Sequence, residues 1–301
     1  RAEGTPGGSR AGGSRHSHGG FRGSARTGSF PRQFVFVDDG STDGSLELLQ
    51  NLTARWPNVV IHKQANKGSA GATNACIALA DQPYIKFVDA DDLLADAATE
   101  TLLRTLDRSN ACLAYGNVQR YAKEADIDLA ERVSSPAEVI LSDALRLSMK
   151  NSLFNPTQCL VRAEALREAG GCDERVIHSQ EYSMTLRLAR RCLILYVDVP
   201  VAFIPDQAER LSNNEGRQLQ RVTRALALFL RDYPDTDAAL RRFACRRAAG
   251  RAWHYARRHG GAGVSSAWFR RYVVSLFTSG VNAADFVDSC CGAFDLPIDE
   301  C

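Results

Sequence analysis

Long hydrophobic runs are missing from this sequence. The best, Leu193-Ile194-Leu195-Tyr196-Val197 and the stretch Ala225–Leu230, fall well short of the roughly 20 apolar residues needed to cross a bilayer as a helix. The chain is therefore expected to be soluble, or peripheral to a membrane at most. Paired cysteine motifs are missing too. Nine cysteines are scattered without a CxxC, and no histidine stands at metal-ligand spacing. An odd count without a framework fits a reducing cytoplasm better than a secreted disulfide scaffold. Charge of one sign is not in excess: 37 Lys and Arg against 35 Asp and Glu leave a net +2, which implies no general affinity for nucleic acid. Residues 1–32 are Gly, Ser and Arg with almost nothing apolar besides Phe21 and Phe30. They cannot bury enough surface to offset their ordering entropy, so disorder is expected. The segment begins with Arg and lacks the charged-then-apolar layout of a signal peptide.

Carboxylates at strand ends are what the chain does have. Tyr84-Ile85-Lys86-Phe87-Val88 reads as a buried strand and stops at Asp89-Ala90-Asp91-Asp92. Packing gives no reason to gather three carboxylates in four residues, where repulsion raises at least one pKa. A hard divalent cation does, since Mg²⁺ or Mn²⁺ is usually held by one or two carboxylates plus a substrate's phosphates. The alternative is a turn in which Asp89 and Asp92 cap the next segment. Upstream, Phe34-Val35-Phe36-Val37 is a continuous apolar run, expected as a strand buried on both faces. It ends in Asp38-Asp39-Gly40-Ser41-Thr42-Asp43 and leads into a helix with Leu46, Leu49 and Leu52 on one face. Asp43 is expected as a capping residue and Asp39 as a functional one. Val59-Val60-Ile61 is a second strand. Asn66-Lys67-Gly68 then opens a small-residue helix, Ala72–Ala80. Strand–helix–strand–helix–strand with short loops signals a parallel sheet covered by helices, in which ligands lie beyond the carboxyl ends of the strands. Both acidic clusters fall there.

Farther on, a helix is expected over 136–149, and Gly170-Gly171-Cys172-Asp173-Glu174 is a turn. Gln180-Glu181-Tyr182 begins a helix whose first turn places Glu181 near the positive end of the helix dipole. From Glu215 the periodicity is helical to the end of the chain. The second of these helices, over 237–259, carries Arg241, Arg242, Arg246, Arg247, Arg251, Arg257 and Arg258 without an intervening acid. It is either a helical bundle with its charge in water or a basic face for anionic lipid headgroups or a phosphorylated acceptor.

As an ordered set, Val37-Asp38-Asp39-Gly40-Ser41-Thr42-Asp43, Asn66-Lys67-Gly68, Asn74, Val88-Asp89-Ala90-Asp91-Asp92, Gly170–Glu174 and Gln180-Glu181 with Leu186-Arg187-Leu188 resemble the family 2 glycosyltransferases with the GT-A fold. The resemblance covers about residues 33–210. It implies an α/β domain at 33–212, a mostly parallel sheet flanked by helices, followed by an all-α region at 213–301. It implies a sugar moved with inversion from a nucleotide-diphosphate donor to the hydroxyl of a glycan or lipid-linked acceptor, in cell-envelope polysaccharide synthesis. Asp38, Asp39, Asn66, Lys67, Gly68, Asn74, Asp89, Ala90 and Asp91 fall in the donor-binding motifs. Asp39 matches the residue that meets the base, Asp89 and Asp91 match the metal pair for Mn²⁺ or Mg²⁺, and Glu181 takes the general-base slot. Asp92, Gln180 and Arg187 are further candidates. The family's usual Glu-Asp pair reads Gln180-Glu181 here. Its first strand, of the type V-S-V-I-I-P-x-Y-N, has no counterpart ahead of Phe34, so an aberrant or truncated upstream region is expected. Processive members carry Q-x-x-R-W and membrane helices; here Arg55-Trp56 is preceded by Leu52. The expected setting is cytoplasmic or peripheral at the inner face of the membrane, through helix 237–259. A nucleotidyltransferase and a catalytically inactive binding domain stand as alternatives, and nucleic acid is not an expected partner.

Overall fold

The computed structural model describes residues 32–124, 127–130, 136–178, 180–206 and 214–294. The expected disorder of 1–32 and the upstream strand thus lie, residue 32 apart, outside the described residues. The described residues form eight strands: β1 Phe34–Asp38, β2 Val59–Lys63, β3 Tyr84–Lys86, β4 Leu93–Leu94, β5 Leu113–Tyr121, β6 Glu138–Ile140, β7 Cys159–Arg162 and β8 Ile194–Pro205. The helices are α1 Ser45–Thr53, α2 Gly68–Leu79, α3 Ala98–Asp107, α4 Ala144–Lys150, α5 Ala163–Glu168, α6 Gln180–Arg191, α7 Glu215–Asp232, α8 Ala238–Gly260, α9 Ala267–Phe277 and α10 Ala283–Asp288.

The strands make a parallel β1–β2 pair and a six-stranded sheet in the order β3-β7-β5-β8-β4, with β6 also on β8. The α/β reading holds, but the expected mostly parallel sheet is mixed. Only β1–β2 and β5–β8 run parallel; β3–β7, β5–β7, β4–β8 and β6–β8 are antiparallel. Parallel neighbours need a long crossover, whereas short returning strands add antiparallel, and β4, β6 and β7 are short strands of this kind. A second correction concerns β1. Its four apolar residues are only partly buried, and Asp38 alone is buried, because among the described residues β1 pairs with β2 on one edge only. Trp56 covers part of it, its ring 5.1 Å from that of Phe34. A third concerns 136–149, where the helix is confined to α4. The β-branched Val139-Ile140 instead pairs with Tyr196 and Leu195 of β8.

Two long strands carry the large sheet. β5 and β8 pair from Leu113↔Ile194 to Tyr121↔Pro205 with an irregularity at Asn117. Gly116 lies at that irregularity for a steric reason: a Cβ there would stand 2.6 Å from a Val201 methyl and 2.7 Å from the Val199 carbonyl. α3 covers one side through Leu102 and Leu106. α2, α5 and α6 supply Ile77, Leu166, Met184 and Leu188 to a second cluster around Ile85, Leu113 and Val161. Cys112 and Cys192 form a disulfide across 80 residues, Cα atoms 5.9 Å apart, so the cysteines are not all single as the spacing suggested. The described remainder are free.

The C-terminal helices do not stand apart. Leu226, Phe229 and Leu230 of α7 and Ala244, Cys245 and Ala248 of α8 share a cluster with Met149, Val176, Tyr182 and Leu186. Arg175 bridges Asp173 and Asp232 at the same junction, and Arg190 meets Asp235 at 2.6 Å. Asp237 caps α8 by accepting from the Ala239 and Leu240 amides. Since Leu226 is fully buried in this shared core, Leu226→Ala is expected to cost about 2–5 kcal/mol. Urea unfolding should show the loss as one transition shifted for both the sheet and the helices. A separate transition of unchanged midpoint for the sheet would contradict a common core.

Candidate active site

β1 delivers its two terminal aspartates to different environments. Asp38 is buried; its Oδ1 accepts from the Ser41 amide at 3.3 Å, while its Oδ2 is buried without a partner among the described residues. Asp39 is half-exposed, and its Oδ1 accepts from Gln64 Nε2 at 2.7 Å and from the Lys67 amide at 2.9 Å. The carboxylate thus ties the end of β1 to the loop after β2. Asn66 Oδ1 accepts from the Gly68 amide at 3.0 Å, turning the chain into α2. Gly68 has φ +73°, and a Cβ there would fall 1.9 Å from Ile177 Cγ2. Only glycine permits both that backbone and that approach.

The approach matters because α2 begins against the segment that opens α6. The Ala70 amide and the Ser69 hydroxyl both donate to the Ile177 carbonyl, at 3.0 and 2.7 Å, and Ser69 Oγ lies 2.9 Å from Gln180 Oε1. Gln180 is therefore engaged with the α2 end, and Glu181 is the next residue, in the first turn of α6. Asn74 and Arg187 are used one layer away. Asn74 accepts from the Cys172 amide and donates to the Cys172 carbonyl and to Glu174. Arg187 donates to the Gly170 carbonyl and meets Asp173 at 3.2 Å. Burial raises the Asp173 pKa, but the Arg175 and Arg187 guanidiniums outweigh it and hold the carboxyl low.

The other acidic turn is organised differently. Asp89, Ala90 and Asp91 are exposed where the chain leaves β3, and Asp92 is buried. The Lys86 ammonium lies beneath them and donates to the Thr157 carbonyl. Burial pushes its pKa down to about 8, against the opposing pull of Cys159, Asp92 and Asp89. The cation offsets part of the repulsion among the carboxylates. The Asp89 amide donates to Thr157 Oγ1 at 3.0 Å. Thr157 sits in a single 3₁₀ turn, Pro156–Gln158, whose Asn155 and Gln158 cap each other's backbone.

The sequence reading missed the role of this 150–158 loop. Besides Thr157 under Asp89, it carries Ser152, whose hydroxyl favours the ionised form of Glu181. The loop is held in turn by α8. Arg247 donates to the Lys150 carbonyl and to Asn151 Oδ1, both at 3.0 Å, and Arg251 donates to the Lys150 carbonyl at 2.7 Å. Burial raises the Glu181 pKa, and its own backbone amide and Ser152 lower it; burial wins. The expectation that the helix terminus favours the ionised form is thus overridden by desolvation. Nothing in Asn155-Pro156-Thr157 as a sequence specifies which strand end it supports.

Among the described residues no three Asp, Glu, His or Cys side chains stand together as a metal cage. The residues present suit a different kind of site. Two exposed carboxylates, Asp89 and Asp91, with Asp92 withdrawn beside Lys86, leave most coordination positions to water and phosphate oxygens, as Mg²⁺ and Mn²⁺ prefer.

Residues 28–169 match the family model described as glycosyl transferase family 2. The match spans a little under half of the chain. The match ends before the Gly170-Gly171 turn and so does not include Glu181. Glycosyltransferase GlyG of Streptococcus pneumoniae is 34% identical over 90 residues, 30% of this chain and 30% of that protein. The chondroitin synthase of Escherichia coli is 30% identical over 162 residues, 52% of this chain and 22% of that one. The chain thus spans less than a third of either relative. Among solved structures, S. aureus TarS residues 1–349 superpose with a TM-score of 0.59 at 15% identity, covering 90% of this chain and 77% of that one. At 15% identity the likeness to TarS is one of fold.

Gly68→Ala is expected to lose about 1–3 kcal/mol through left-handed strain and overpacking against Ile177. Urea unfolding would measure the loss, and an unchanged midpoint would mean that the α2–Ile177 contact is not tight.

Proposed function

We propose that this chain transfers a sugar from a nucleoside-diphosphate donor to an acceptor hydroxyl with inversion, with Glu181 as the base. The observation that carries the proposal is the hydrogen-bonded junction of Ser69 with Ile177 and Gln180. It draws the Asp39–Gly68 motif to the turn that bears Glu181, and the loop whose Thr157 holds Asp89 also carries Ser152, which lowers the Glu181 pKa.

Asp38 and Asp39 meet the donor's base. The buried Asp38 Oδ2 lacks a hydrogen-bond donor, and a base N–H supplies one. Asp89 and Asp91 would hold Mn²⁺ or Mg²⁺, which supplies charge neutralisation for the departing diphosphate. Asp92 and Lys86 hold the turn that presents the pair. Glu181 accepts the proton of the acceptor hydroxyl. The hydroxyl oxygen then bonds to the anomeric carbon on the face opposite the diphosphate, and the carbon–oxygen bond to the diphosphate breaks with its electron pair. A buried carboxylate with a raised pKa is a stronger base than a free glutamate, and such help is worth about 10²–10⁴-fold in rate. A uridine-diphosphate sugar is the first donor to test, because TarS has been solved with UDP-GlcNAc. A glycan or lipid-linked hydroxyl is the acceptor class.

Glu181→Gln is expected to lower turnover by about 10²–10⁴-fold while leaving UDP affinity, read by calorimetry, unchanged. Unaltered turnover would remove Glu181 from the mechanism. Asp91→Ala should abolish the Mn²⁺ dependence of UDP binding, and retained dependence would reject its ligand role. Turnover should fall as pH drops through a pKa above the ordinary glutamate range, since protonated Glu181 accepts no proton. Ser152→Ala removes a group that favours the ionised form, so it should move that limb to higher pH. A limb that stays in place, or moves down, would contradict the assignment. Release of nucleoside diphosphate supports transfer, whereas pyrophosphate would mark a nucleotidyltransferase.

A further inference from the structure

The sequence leaves helix 237–259 as a bundle helix with its charge in water or as a basic face, and α8 does not present its arginines uniformly. Arg247 and Arg251 turn inward onto the 150–158 loop, Arg241 donates to the Pro234 carbonyl, and Arg258 pairs with Glu215 at 2.7 Å. What remains outward is Arg242, Arg246 and Arg257, all exposed and without an ion pair among the described residues. These three follow the same stripe of α8 as Gly250 and Trp253, the residues against which α9 packs. Tyr272 lies over Gly250, and Trp253 stacks on Tyr272 at 5.4 Å and meets Phe269 at 4.9 Å. The arginines therefore flank α9.

α9 buries the side that carries Phe269, Tyr272 and Ser275 and turns the opposite side outward. Arg270, Val273, Val274 and Phe277 fall at i, i+3, i+4 and i+7, one stripe of a helix. Arg270 is exposed, Val274 is 56% exposed and Phe277 83%; Val281, just past the helix, is 73% exposed. Nothing among the described residues covers this stripe. Residues 238–284 contain nine arginines and no Asp, Glu or Lys. An apolar ridge on a stretch whose own charges are all cationic, with Glu215 of α7 paired to Arg258 and Asp237 at the cap of α8, is an unusual surface for water alone.

We infer that the outer face of α9, with Arg242, Arg246, Arg257 and Arg270 around it, docks the protein on an anionic phospholipid surface. Charge complementarity selects the occupant. A second copy of this chain would bring like charge against like, and a soluble polyanion would satisfy the arginines while leaving Val274 and Phe277 in water. A membrane interface answers both, headgroup phosphates to the guanidiniums and the acyl boundary to the aromatic and branched side chains. This surface lies on helices outside the donor motifs, so it stands or falls independently of the reaction assigned above.

The test is vesicle flotation of the full chain with phosphatidylcholine alone and with phosphatidylcholine–phosphatidylglycerol mixtures. The chain is expected to float with the mixed vesicles at low salt, to stay behind with phosphatidylcholine alone, and to detach as salt screens the headgroups. Each of Arg242→Gln, Arg246→Gln and Arg270→Gln should weaken partition about fivefold. Phe277→Ser with Val274→Ser should weaken it further, without moving the thermal unfolding midpoint. Equal partition into both vesicle types, or none, would overturn the inference. So would partition indifferent to the apolar pair but competed by soluble polyphosphate, or a wild-type dimer in sedimentation that the same substitutions convert to monomer. Should the apolar pair prevent folding, the three arginine variants still decide.

Discussion

The arrangement depends on one contact, the seating of the first turn of α2 on the carbonyl of Ile177. The Ala70 amide and the Ser69 hydroxyl converge on that oxygen, and Gly68 lets the backbones approach. Without it, the Asp39–Lys67 loop and the turn before Glu181 would be separate features of two helices more than a hundred residues apart in the chain. Amides at the start of a helix have no partner within it, so lending one to a distant carbonyl costs the helix nothing. The same turn of α2 therefore begins a helix and fixes a distant segment.

Electrostatics around the acidic turns follows a common rule. Each exposed carboxylate of the site has a buried neighbour that is compensated or satisfied locally. Asp92 is withdrawn beside Lys86, and Asp173 is held by Arg175 and Arg187. Asp38 Oδ2 is the exception, buried and unpartnered. Unsatisfied buried oxygens are costly, which makes this atom the place where a ligand's N–H would be most rewarded. The C-terminal helices contribute to the same economy from outside the family-matched segment, since Arg247 and Arg251 of α8 hold the loop whose Ser152 favours the ionised form of Glu181.

Much of this was legible in the sequence, and for identifiable reasons. The acidic turns after β1 and β3, the glycine turn at 170–171 and the C-terminal helices follow from local patterns, apolar runs followed by acids, paired glycines and a 3.6-residue period, although β3 stops at Lys86, short of the expected Val88. Strand direction was not legible, because β4, β6 and β7 are too short to carry a period. Val139-Ile140 was read as helix because two β-branched residues within a mixed segment do not reveal that β8 needs a neighbour. The half-exposure of β1 depends on which strands flank it, a tertiary fact. So does the pairing of Cys112 with Cys192. The parts played by Ser152 and Thr157 were invisible for the same reason, and Glu181's burial reversed an expectation based on helix position alone. Local chemistry identified the side chains; the loop that supports them appears only when distant segments meet.

The central claim is that Asp39, Asp91 and Glu181 act on one donor. A crystal structure of the chain with Mn²⁺ and UDP tests it most directly. The account predicts the uracil against Asp38 and Asp39, the metal bridging the diphosphate to Asp91, and the Glu181 carboxylate facing the position where the sugar would attach. UDP bound away from Asp39, or Asp91 and Glu181 opening onto different surfaces, would contradict it.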